Sequence, residues 1–477
     1  MAGMNNQIEK ILCVELLEKI SRMRRYLHSH YSSSKTEGKE VVTIFNSALD
    51  ATQFDFEKVI NYVKVQDVLT PVEQATVSRR ISNVFFTISN LHQQLQLIYG
   101  EWVRPETHTF LKEIINFFPS DRRKEKINIV LTNDYMFSED NLTSLFAEIL
   151  NDKNATAKLV EENPTVFLPK IDYDNPLNWT ILAHECGHTD LKGIQKLLNN
   201  TKLLPTHIIG SDRTILENWV EEIYCDLIAT KVLGPAYLAS FSTFVLLLSG
   251  IKGNEDTSQT HPSNVLRINL MQEYLESKNI SIPISESYLD NSDLSSYYYY
   301  MIESYNETSR KYLNPRSSPL STSIDTTQLL DTISEEVDEI VNLDLTLSID
   351  DFKRINSLKG RLVSGITIGS FHDIEKLSMA REKYQLANED EIGLNELNYA
   401  KDSLQETRTK LWEIINTGWI NKVENILPKS ISLFFDNDKD SFIEKMETFS
   451  NDLEKYDSIL LKSIESSEIF KIMEEGN

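Results

Sequence analysis

His184, Glu185 and His188 in the stretch NPLNWTILAHECGHTDLK, Asn175 to Lys192, have types and spacing that read directly as chemistry. On a helix, His184 and His188 share one face, and Glu185 sits about 100° round from His184. Two imidazoles so placed can grip one metal ion. Zn²⁺ suits them because it takes imidazole nitrogen at a tetrahedral site, where an open position keeps a water that the metal makes acidic. Glu185 is then placed to accept that water's proton. The flanks suit a helix: Asn175 can cap its start, Pro176 fits a first helical position, and Gly187 lets another element pack closely.

Such a site needs a further ligand, and the elements downstream offer candidates. A helix from about Arg213 to Leu233, ended by Gly234-Pro235, contains ENWVEEIYCDLIA. Glu222 and Asp226 share a face of it; a carboxylate here can complete the metal site, and Asp226 can hydrogen-bond a ligating imidazole from behind. Glu217 and Glu221 are rivals, and residue type alone does not choose among them. Further along, Thr260-His261-Pro262 opens another helical stretch, SNVLRINLMQEYL, with Pro262 at the first helical position and His261 beside its positive end. Arg267 follows in that stretch.

The order HECGH, then EIYCD from Glu222 to Asp226, then HPSNVLR from His261 to Arg267, resembles the gluzincin metallopeptidases of the HtpX and CAAX-prenyl-protease group. The resemblance runs from Pro176 to Met271. It implies that His184, His188 and Glu222 are zinc ligands, Glu185 the general base, and Asp226 a partner behind a ligand. It also implies that His261 and Arg267 support the transition state and that the substrate is a protein or peptide. The chain departs from the group in two ways. The group is typically membrane-embedded or secreted, traits this sequence does not show, and its long helical flanks have no counterpart there.

Those flanks carry apolar residues at helical spacing. Ile8, Ile11, Leu12, Leu16, Met23 and Leu27 mark an amphipathic helix over about 7 to 31, and a second covers about 39 to 67. A third starts at Thr70, Pro71 and Glu73, which supply a cap, a first-position proline and a capping-box acid. Its stripe of Val77, Ile81, Val84, Ile88, Leu91, Leu95 and Ile98 predicts a bundle-core helix, with a coiled-coil seam as the alternative. Two β-like runs precede the metal helix: INIVLT within 127–132, and TVFLPKI from Thr165 to Ile171. Pro169 predicts a sheet edge for the second, where an extended peptide could add by backbone hydrogen bonds and lie across the metal. Pro235 to Ile251 is uncharged but shorter than the roughly 20 residues that span a bilayer, so it reads as a buried core helix. Residues 283–312 are tyrosine-rich, 313–323 read as a linker, and amphipathic helices return beyond it.

With 48 basic and 72 acidic residues among 477, the formal charge of −24 disfavours nucleic acid or an anionic membrane as the main partner. Cys13, Cys186 and Cys225 are too few for a disulfide framework and point to a reducing compartment. Charges interrupt every apolar run at the N-terminus, so no signal peptide is visible and a cytoplasmic location is expected. The expected fold is mainly α with a small β-sheet: an N-terminal helical region over 1–119, a zincin-like metallopeptidase core over 120–312, and a C-terminal helical region over 324–477. The expected function is a soluble zinc-dependent metallopeptidase. The alternatives are a non-catalytic helical interaction protein with a structural metal and a hydrolase of a non-peptide amide; the oligomeric state stays open.

Overall fold

The computed structural model describes residues 6–31, 36–66, 68–98, 105–118, 128–132, 136–138, 165–169, 172, 174–204, 206, 209–253, 260–278, 326–340, 411–422, 426–437 and 439–475. These residues are mainly α-helical. In chain order the elements are α1 (Gln7–Tyr31), α2 (Thr36–Val65), α3 (Pro71–Ile98) and α4 (Pro105–Asn116), then β1 (Asn128–Thr132), β2 (Met136–Ser138) and β3 (Thr165–Pro169). A 3₁₀ turn (Asn178–Thr180) leads into α5 (Ile181–Gly187), α6 (Leu191–Leu198), α7 (Ser211–Leu233), α8 (Pro235–Gly253) and α9 (Asn264–Ser277). α10 (Thr326–Ile340), α11 (Leu411–Asn421), α12 (Leu427–Ile431) and α13 (Phe442–Glu475) complete the order. The tyrosine-rich stretch and the 313–323 linker lie outside the described residues.

Local chemistry explains where α3 begins and what it does. The Thr70 amide donates to Glu73 Oε2 (2.8 Å) while the Glu73 amide donates to Thr70 Oγ1 (3.3 Å), a reciprocal capping box that satisfies two otherwise orphaned N–H groups. The apolar stripe at Val77, Ile81 and Ile88 is buried, and α3 packs on α1, α2 and α8. It is therefore a core helix and not a seam awaiting a partner. α8 is likewise buried, with contacts to α3, α7, α9 and α11. No described helix is long and apolar enough to cross a membrane.

The three strands pair in the order β1-β3-β2. β1 runs parallel to β3, from Asn128 opposite Thr165 to Thr132 opposite Pro169, and β2 runs antiparallel to β3, from Met136 opposite Phe167 to Ser138 opposite Thr165. This corrects the expectation drawn from Pro169, because β3 is central and not an edge. β2 pairs only as far as Phe167, so at the last position of β3 Pro169 faces a ladder partner on the β1 side alone, Thr132. α5 packs against β3 and β2.

Charges on α1 form a buried ionic layer that anchors the entry to α5. Lys422 meets Glu15 (2.7 Å) and Glu18 (3.0 Å), and Arg22 joins Glu18 (3.0 Å) to Asp457 on α13 (2.9 Å). Lys19 reaches Asp172 (2.8 Å), which also accepts from Asn178 Nδ2 (2.7 Å), while the Asp172 carbonyl accepts from buried Trp179 Nε1 (2.8 Å). The helix start differs from the expected Asn175 cap and Pro176 first position. Asp172 and Trp179 instead hold the 3₁₀ turn, and regular helix begins at Ile181. Apolar residues from α1 through α13 form one cluster, so the flanks and the central stretch share a hydrophobic core.

Candidate metal centre

α5 and α7 cross at unusually close range because Gly187 has no side chain. A Cβ at that position would lie 3.0 Å from the Cα, Cβ and Sγ of Cys225. The crossing brings His184 and His188, whose rings are 5.0 Å apart between centroids, opposite Glu222. One ligand atom from each of His184, His188 and Glu222 lies within 4.8 Å of the other two. His184 Nε2 is 3.4 Å from Glu222 Oε2, and His188 Nε2 is 3.8 Å from Glu222 Oε1.

A carboxylate stands behind each imidazole at Nδ1, hydrogen-bonded to His188 and in ion-pair contact with His184. His184 Nδ1 lies 2.9 Å from Asp226 Oδ1. Asp226 also accepts from the Tyr237 hydroxyl (2.6 Å) and, in a fork, from Arg267 Nε (2.6 Å) and Nη2 (2.8 Å). Arg267 stacks over the Phe241 ring at 4.5 Å, and its Nη2 is 3.3 Å from Glu222 Oε2. His188 Nδ1 pairs with Glu221 Oε1 at 2.9 Å. A proton held at Nδ1 leaves the Nε2 lone pair for a metal, which is the tautomer a ligand needs.

Glu217, the other rival ligand, is engaged elsewhere, accepting from Arg213 Nε at 2.7 Å. Glu185 is buried beside the cluster. His261 stands on the solvent side, its side chain 53% exposed, with Nε2 3.4 Å from Glu222 Oε1 and Nδ1 2.8 Å from Thr260 Oγ1.

The electrostatics follow from burial set against close charges. For His184, burial alone would lower the pKa, but Asp226 and Glu222 outweigh it and push the group up to about 10. Burial would raise Asp226, yet Arg267 and His184 bring it down to about 2, and Arg267 with the histidines holds Glu222 well below the usual carboxylate range. Burial raises Glu185 despite the opposing charges of His184 and His188, a direction that suits a group meant to take up a proton. His261 is lowered, chiefly by partial desolvation, with Arg267 and His184 acting in the same direction against Glu222. Cys186 and Cys225 are buried, and burial raises both thiols, so neither resembles a ligand.

The donor set fits zinc. Two imidazole nitrogens and a carboxylate converge, and buried Glu222 Oε2 makes no hydrogen bond to a described residue although Arg267 and His184 are near. Two contributors have roles the sequence does not mark. Tyr237 lies in an apolar run with nothing to distinguish its hydroxyl, and Glu221, a rival ligand by residue type, instead pairs with His188 Nδ1. The neighbouring acidic pair Glu221-Glu222 was the available signal, since adjacent helix positions can serve different atoms of one site.

Searches against protein-family models, curated proteins and solved structures return no match.

Proposed function

We propose that the chain is a zinc-dependent metallopeptidase of the HExxH-plus-glutamate type, with His184, His188 and Glu222 as ligands. The observation that carries this reading is the pair of carboxylates at the two Nδ1 atoms, which turns both Nε2 atoms toward Glu222 while Glu185 lies buried alongside. A buried pair of histidines serving only the core would not need both rings aimed at one further carboxylate.

Zinc at this position would polarise the scissile carbonyl and acidify a water. Glu185, its proton affinity increased by burial, accepts the water's proton and delivers it to the leaving amine. His261, on the open side, donates to the carbonyl oxygen as negative charge develops there. Asp226 keeps a proton on His184 Nδ1, and Tyr237 and Arg267 hold Asp226 in place. Arg267 supports the reaction through Asp226 and Glu222, because its side chain is buried in that pairing and stacked on Phe241. The gluzincin assignment, a protein or peptide substrate and a cytoplasmic site of action belong to this proposal.

The test compares zinc-loaded wild type with Glu185→Gln on a proteome-derived peptide library. Wild type should generate new N-termini that the variant loses by about 10²- to 10⁴-fold while keeping its zinc. Identical fragment patterns from two zinc-loaded proteins would remove the peptidase reading.

A further inference from the structure

The carboxylates behind the two imidazoles differ in exposure and in bonding, since Glu221 hydrogen-bonds His188 Nδ1 whereas Asp226 meets His184 Nδ1 as an ion pair. Behind His184 stands Asp226, 1% exposed, fixed by the Tyr237 hydroxyl and both arms of the Arg267 fork. Behind His188 stands Glu221, 35% exposed, on the same turn of α7 as the ligand Glu222. From there Glu221 reaches His188 Nδ1 at 2.9 Å, while Glu222 addresses Nε2. An imidazole without a partner at Nδ1 can rotate about its ring axis or shift its proton to Nε2, and either change removes the lone pair a metal needs.

We infer that Glu221 is the positioning residue for His188, so that metal retention at that imidazole depends on this partly exposed carboxylate. The inference rests on the metal-centre reading. Asp226 is sealed at 1% exposure and His184, Glu222 and His188 are largely covered, whereas Glu221 and His261 reach solvent at 35% and 53%. The required feature is an acceptor at the right distance more than a negative charge. Glutamine offers that acceptor in a side chain of the same length; aspartate keeps the charge but withdraws it by one methylene.

The test is a zinc competition titration of the full chain against a chromophoric chelator, with cobalt substitution as a spectroscopic readout of ligand geometry. Glu221→Ala and Glu221→Asp should weaken zinc by about 10- to 100-fold and broaden the cobalt absorption bands. Glu221→Gln should stay within about threefold of wild type with an unchanged cobalt spectrum. Glu217→Ala, which disrupts only the pair with Arg213, is the control for loss of a carboxylate on the same helix. Wild-type affinity in Glu221→Ala overturns the inference and leaves the metal centre standing. Equal weakening in Glu221→Ala and Glu221→Gln also overturns it, because the effect then belongs to charge. No zinc binding by wild type sinks the metal centre and the inference together.

Discussion

In the metal-free protein, His184 is predicted to carry a proton that metal must displace, so zinc capture should become stronger as pH rises. Burial opposes that proton, but Asp226 at Nδ1 and Glu222 beyond Nε2 win, raising the group from 6.5 to about 10. For a histidine whose folded pKa is raised, the stabilisation is fully present below 6.5 and is lost as pH climbs through about 10. At pH 7, about three pH units below the folded value, holding the proton is worth on the order of 4 kcal/mol at 1.36 kcal/mol per unit. Metal binding forfeits that amount, so apparent zinc affinity should increase about tenfold per pH unit between about pH 6.5 and 8.5 from this group alone. Chelator competition at several pH values measures the slope, and an indicator dye in weak buffer should record about one proton released per zinc. Asp226→Asn, which removes the main charge behind the shift, should flatten the dependence. A flat profile in wild type with no proton release would refute the argument, since His184 would then be neutral beside Asp226.

Three further outcomes follow from particular contacts. Gly187→Ala places a methyl 3.0 Å from the Cα, Cβ and Sγ of Cys225, which must give by a few tenths of an ångström; a cost of about 1–3 kcal/mol by denaturant titration and weaker zinc binding are expected, and wild-type values would contradict the close crossing. Lys422→Met leaves Glu15 buried without its ion-pair partner and Glu18 with Arg22 alone, so a loss of about 3–5 kcal/mol is expected, and a loss under about 1 kcal/mol would show that the layer relaxes or admits water. His261→Ala should keep its zinc and lower kcat by about 10²- to 10³-fold on any substrate found, with a kcat within a fewfold of wild type counting against its oxyanion role.

The convergence of the site was legible because helical spacing is a local property. His184 and His188 share a face by periodicity, and the helix carrying Glu222 and Asp226 could be bounded from Gly234-Pro235. The order of the motifs points to Glu222 through its spacing to Asp226, but the work of Glu221 and Tyr237 depends on how α5, α7 and α8 cross, which no local pattern encodes. The same limit explains α1. Its charges look like a solvated face, yet Glu15, Glu18, Lys19 and Arg22 are buried because their partners, Lys422, Asp457 and Asp172, come from distant parts of the chain. Pro169 misled for a related reason: its missing N–H rules out a ladder bond at one residue, but a central strand can end there when its neighbour is shorter.

The central claim, that His184, His188 and Glu222 form one zinc site, is tested most directly by metal content after dialysis against trace zinc. Wild type and Glu185→Gln should each retain about one zinc per chain, and His184→Ala, His188→Ala and Glu222→Ala should each lose most of it. Equal zinc in all five proteins, or none in wild type, would contradict the account.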